Sequence, residues 1–95
     1  MPRAPALGQN VPNPFNPTTT ISYDVPAGGA QVTLRIYDAT GGLVRTLVDE
    51  QRPAGTHAVT WDGRNAAGAP VSSGVYFYQM TSGSFAQSRR MVLLK

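Results

Sequence analysis

A chain of 95 residues has room for one domain, and a domain of that size buries only about 60–65% of the surface its unfolded chain exposes, too little for a deep internal pocket. Charged residues are 14% of the total, with 10 glycines and 8 prolines, which argues against a helical bundle; a hydrophobic share of 41% argues against disorder. The lack of cysteine excludes disulfides and thiolate metal sites, and a net charge of +3, not clustered with aromatics, argues against a nucleic-acid partner.

Residues 1–6 read as a linker-like arm, with residues 7–95 as the domain. Prolines stand in the arm where an apolar leader would be, so if the domain is exported its signal is expected on a longer precursor or in the domain itself, and Met1 reads as an added start. The longest apolar run near either end, Met91–Leu94, is too short to span a bilayer.

"NPFNP" follows at Asn13, Pro14, Phe15, Asn16 and Pro17. Prolines restrict the backbone and remove donors on both sides of Phe15, so the segment cannot extend a strand backward. It reads as a boundary plug: Phe15 packs under the domain while Asn13 and Asn16 cap turns.

Thr20–Val25 alternates, with Ile21, Tyr23 and Val25 on one face, as a half-buried strand does. Gln31–Tyr37 is the cleanest strand, with Val32, Leu34 and Ile36 inward. "DATGG" makes a hairpin to Leu43–Val48, where glycine supplies positive φ. Val44 and Leu47 are the expected core residues of that partner strand. They lie three apart, so a β-bulge is required.

"RPAG" turns the chain into Thr56–Trp61, with His57, Val59 and Trp61 on one side. The loop "DGRNAAGAPVSSG" follows. Val75–Thr81 is apolar on both faces, as a strand between two layers would be, and Phe77 is taken as its core residue. "SGS" makes a tight hairpin to the last strand, Phe85–Leu94. Six or seven short strands with regular turn signals predict an all-β, antiparallel, Ig-like β-sandwich. Its core is expected at Val32, Leu34, Ile36, Val59, Trp61 and Phe77.

Nothing in this set looks catalytic. His57 has no acid beside it and reads as a packed strand residue. Asp24, Asp38 and Asp62 each close a strand, where Asp bonds the local backbone in Asx turns. Asp49 and Glu50 mark a solvated turn. "DGRNAAG" has oxygen donors at Asp62 and Asn65 but lacks the further carboxylates of a calcium loop, so it reads as a turn. Trp61 reads as core with its N–H on a partner. A tyrosine of the Tyr76–Tyr78 run is expected to tie a loop to the sandwich. No cofactor, metal or enzymatic activity is expected.

"LGQNVPNPFNPTTTISYDVP", "VTLRIYDATGGLVRTLVDEQRPAGTHAVTWDGRN", "SSGVYFYQM" and "RRMVLLK" together resemble the type A C-terminal sorting domain of the type IX secretion system. The resemblance runs from Leu7 to Lys95. "TWDGRNAAGAPVSSGVYFY" also resembles the Ig-like domain of flagellar hook-capping proteins. The first resemblance implies a non-enzymatic module that directs a larger cargo through the periplasm to the bacterial cell surface or medium. Its implied partners are the outer-membrane secretion machinery and a sortase-type peptidase. The last strand, Arg89, Arg90, Met91, Val92, Leu93, Leu94 and Lys95, is then the stretch expected to be recognised, with the two arginines steering it to an acidic surface. The alternative is a structural Ig-like subunit that forms homo-oligomers or filaments by strand addition at the same edge or by arm exchange.

Overall fold

Seven strands in two antiparallel sheets account for the chain in a computed structural model that describes residues 4–95. The strands are β1 (Ala6–Leu7), β2 (Thr19–Val25), β3 (Ala30–Asp38), β4 (Leu43–Arg52), β5 (Gly55–Trp61), β6 (Gly74–Ser82) and β7 (Phe85–Leu93). One sheet has the order β1-β2-β5 and the other β4-β3-β6-β7. This is the Ig-like sandwich that the turn spacing predicts. Of the arm, Met1–Arg3 lie outside the described residues, and Ala6 already pairs with Asp24 as part of β1.

Strict alternation produces the core. Ile21, Tyr23 and Val25 of β2 face Val32, Leu34 and Ile36 of β3, and all are buried. Trp61 ends β5 fully buried, and its indole N–H donates to the carbonyl of Arg64 at 2.9 Å. Val59 is only partly buried, packed against the core from the edge strand β5.

Phe77 is a correction. It is exposed, while Tyr76, Tyr78 and Met80 of β6 are buried. Consecutive aromatics cannot share a strand face, so one parity had to win. The tyrosines go inward because their hydroxyls reach backbone carbonyls at the ends of the sandwich. Tyr76 donates to Ser72 O at 2.7 Å, tying the preceding loop down, and Tyr78 donates to Gly8 O at 2.6 Å. Among the described residues, no second layer covers the other face of β6.

The β3–β4 pairing has register shifts between Leu34 and Arg35 and between Ile36 and Tyr37. These irregularities supply the expected bulge, but they move the fully buried position to Val48 and leave Val44 and Leu47 partly buried against the core. Gly83 alone carries positive φ (62°) in the two-residue β6–β7 turn, at the first central position that type II′ turns reserve for glycine.

The turn chemistry of the acids divides. Asp38 Oδ1 accepts from Thr40 N, Thr40 Oγ1 and Gly42 N at 2.7–3.0 Å, closing the hairpin. Asp62 accepts from Arg64 N at 3.2 Å, and Asn65 Oδ1 accepts from Ala67 N and Ala69 N, so the "DGRNAAG" loop is held by side-chain amide and carboxylate turns. Asp24 makes no such turn. It accepts from the Thr56 hydroxyl across the β2–β5 pair at 2.8 Å. Asp49 and Glu50 are exposed as expected, but they lie within β4, which continues past them to Arg52.

Candidate functional site

The plug and the last strand, read separately in the sequence, meet. β7 lies at the edge of its sheet, so the N–H and C=O groups of alternate residues point away from β6. The segment before β2 covers them. Phe15 N donates to Val92 O at 3.0 Å, and Leu94 N donates to Phe15 O at 2.9 Å, making a parallel bridge between Phe15 and Leu93. Asn13 Oδ1 accepts from Val92 N at 3.0 Å. Gln9 Nε2 donates to Arg90 O at 2.9 Å. Expecting Asn13 and Asn16 to cap turns was therefore wrong: the Asn13 amide oxygen accepts from Val92 N and completes the pairing of β7, and the exposed Asn16 side chain makes no hydrogen bond among the described residues.

Phe15 is buried beneath the sandwich. Its ring lies 5.7 Å from the Trp61 ring, which stands 5.4 Å from Tyr76 edge to face, within the range of favourable aromatic pairs. Pro14, Asn16 and Pro17 remain exposed around it. The far side of the plug rests on Gly63. That glycine has φ of 74°, and an added Cβ would come within 3.0 Å of Pro17 O.

A second set of contacts holds the arm above the plug. Tyr78 Oη donates to Gly8 O and accepts from Asn10 N at 2.8 Å; burial pushes the Tyr78 phenol above its usual pKa. Asn10 is buried, and its amide donates to Pro12 O and Thr19 Oγ1. Thr19 is buried as well and donates to Pro12 O at 2.8 Å. Sequence reasoning expected a tyrosine of the Tyr76–Tyr78 run to tie a loop to the sandwich, but it missed Asn10 and Thr19 in this role. No local pattern marks them, since Thr19 stands between two threonines and Asn10 follows Gln9, and the Tyr78 partner of Asn10 lies 68 positions away.

The last strand is not a uniform recognition stripe. Met91 and Leu93 are buried in the core, Val92 is half-buried, and Leu94 and Lys95 are exposed. Arg89 and Arg90 point to opposite sides of the strand. Arg89 is spent on the arm, with Nε donating to Leu7 O at 2.7 Å, and only Arg90 is exposed. The expected steering pair is thus one free arginine. Strand addition along Arg90–Leu94 is blocked in this structure by the chain's own arm.

Arg90 instead joins a row across the outer face of the larger sheet. The register places Leu43, Tyr37, Phe77 and Arg90 side by side on four strands. Leu43 and Phe77 are exposed. A shallow open groove of about 590 Å³ lies nearby, lined by Asp38, Leu43, Val44, Asn65, Val71 and Tyr76. His57 is far from both features in the sheet order. It stacks on Tyr23 at 5.4 Å, and its Nε2 lies 2.8 Å from Pro53 O. Among the described residues no three His, Cys, Asp or Glu side chains come together as a metal site would need.

Comparison with known proteins gives relatives of two kinds. The chain is 35% identical over 65 residues to the basal-body rod modification protein FlgD of Salmonella typhimurium, and 34% identical over 59 residues to that of Escherichia coli. Those matches take in 68% and 62% of this chain but 28% and 26% of the relatives, so the chain spans about a quarter of their length. Among solved structures, dimeric latent PorU from Porphyromonas gingivalis superposes with a TM-score of 0.79 at 21% identity, over 96% of this chain and 9% of PorU. PorZ from the same organism, described as an essential bacterial surface component of the type IX secretion system, gives 0.65 at 25% identity, over 92% of this chain and 11% of PorZ. FlgD from P. aeruginosa gives 0.62 at 20% identity, over 87% of this chain and 68% of that one. The PorU and P. aeruginosa likenesses bear on the fold alone. The family model of the FlgD Ig-like domain matches residues 9–84, the stretch from the arm that covers β7 to the β6–β7 turn, and the chain belongs to that family.

Proposed function

We propose that this Ig-like domain is a non-enzymatic sorting module, which directs a larger cargo protein through the type IX secretion system to the cell surface or medium. The observation that carries this reading is one of scale. Nearly the whole chain matches about a tenth of PorZ, a surface component of that system, so the same fold serves there as a small part of a much larger surface protein. The plug lies inside the domain and not, as the sequence suggested, at its boundary, since Ala6, Leu7 and Val11 before it already pair with β2. The implied partners are the secretion machinery and a sortase-type peptidase.

The test is a fusion of this chain to a fluorescent cargo with a signal peptide, in a host with type IX secretion. Deleting Met91–Lys95 would be a poor probe, because Met91 and Leu93 are core residues and their loss unfolds the domain. Arg90→Glu with Lys95→Glu changes only exposed side chains. Surface display should fall with this pair and persist with His57→Ala. A charge-reversed fusion displayed as well as the parent would defeat the proposal for this strand.

A second reading is a self-associating structural subunit, favoured by membership of a family that includes the basal-body rod modification proteins and by the exposed row Leu43–Tyr37–Phe77–Arg90. It predicts concentration-dependent sedimentation that Phe77→Ser abolishes.

A further inference from the structure

The seat of Phe15 has the composition of a peptide-binding site. An edge strand offers Val92 N, Val92 O and Leu94 N; an apolar socket lies beside Trp61; and the occupant is a bent, proline-rich segment that pairs through the Phe15 backbone and the Asn13 amide oxygen and fills the socket with one ring. Main-chain pairing supplies affinity and the socket supplies selectivity, as in other modes of strand addition. The ligand class is read from the occupant: a proline-rich peptide with an aromatic residue between prolines and an asparagine two positions before it. We propose that this site accepts the "NPFNP" tip of a second copy of the chain in exchange for its own, linking copies through β7.

Exchange needs only the tip to leave. Val11 remains paired with Thr20, and Leu7 with Tyr23, so both ends of the loop stay on β2. Pro12, Pro14, Asn16, Pro17 and Thr18 are already exposed, and the described residues give no hydrogen bond to their side chains. Each bond that the tip breaks in its own copy it makes again in the other, so exchange is limited by concentration rather than by new chemistry. A tethered tip acts at an effective concentration on the order of millimolar, which keeps the intact chain self-closed when dilute. The inference stands independently of the sorting reading, since it concerns only which tip fills the socket.

Complementation between two full-length variants isolates the exchange. An acceptor, Asn13→Ala with Phe15→Ala, keeps the edge and loses the tip. A donor, Val92→Pro, keeps the tip and loses the edge's Val92 N–H, so its own seat lacks the Asn13 anchor that the acceptor's seat still offers. Proline is tolerated at Val92 because its N–H faces away from β6 and serves only Asn13. Each variant alone should sediment as a monomer and the mixture as a one-to-one dimer, with the acceptor's Trp61 fluorescence returning to the wild-type spectrum. A synthetic peptide of residues 10–18 should bind the acceptor saturably, and at least about tenfold more weakly with alanine in place of Phe15. If the acceptor does not fold alone, Phe15→Leu supplies a milder one, whose melting temperature the peptide should raise and the alanine peptide should not. A mixture that stays monomeric while both chains are folded overturns the exchange. Equal binding of the two peptides, or none, overturns the site.

Discussion

Single side chains carry the long-range ties in this domain. Tyr78 joins β6 to the arm by donating to Gly8 O and accepting from Asn10 N. Tyr78→Phe leaves both backbone groups without that partner, so a loss of about 1–3 kcal/mol is expected in chemical denaturation. Its raised pKa has a further consequence. Above about pH 10 the unfolded phenol loses its proton while the buried one keeps it. This share of stability is therefore complete below that value and falls as pH rises through the folded pKa. The alkaline decline should be shallower in Tyr78→Phe. Asp38 works in the opposite direction. The Thr40 hydroxyl first, then Gly42 N, hold its carboxyl below the usual carboxylate range. Its contribution is present above the unfolded value and lost as pH falls through the lowered one. Amide shifts of Thr40 and Gly42 should titrate with it at acid pH, and an invariant pair would refute the hairpin bond.

At the scale of an element, β6 shows what strand parity decides. Trp61→Ala, at the buried end of β5, should cost about 3–5 kcal/mol, as large-to-small core changes do. Phe77→Ser should leave melting within about 0.5 kcal/mol, since exposed substitutions away from special features do little. Matched thermal melts of the two variants check the assignment, and a large loss in Phe77→Ser would mean its face is covered. The sequence showed β6 apolar on both sides but could not say which side had a layer over it. That depended on which aromatic could carry its hydroxyl to a carbonyl brought near by another element.

For the whole molecule, the first and last described segments stabilise each other. Phe15 has its backbone partners on Val92 and Leu94, and Arg89 reaches back to Leu7. Removing Val92–Lys95 should cost at least the about 2–5 kcal/mol of one buried leucine. It should also speed amide exchange at Gly8, Val11 and Phe15 together, while removal of Lys95 alone should change neither. Unaltered exchange in the arm of the shortened chain would show that plug and strand are independent.

Strand number, turn positions and most of the core were legible in the sequence, because period-two alternation and turn-forming residues act over a few neighbours. The same local logic identified the plug and the last strand as unusual, and it identified "DGRNAAG" as a turn. It could not join them. That Asn13 serves Val92 rather than its own turn, that Arg89 and Arg90 part company, and that Asn10 and Thr19 are buried all depend on residues about 70–80 positions apart meeting at one edge. Alternation assigns a side chain to one of two faces, but only the packing of the two sheets and the course of the arm decides which face and which edge the protein leaves open.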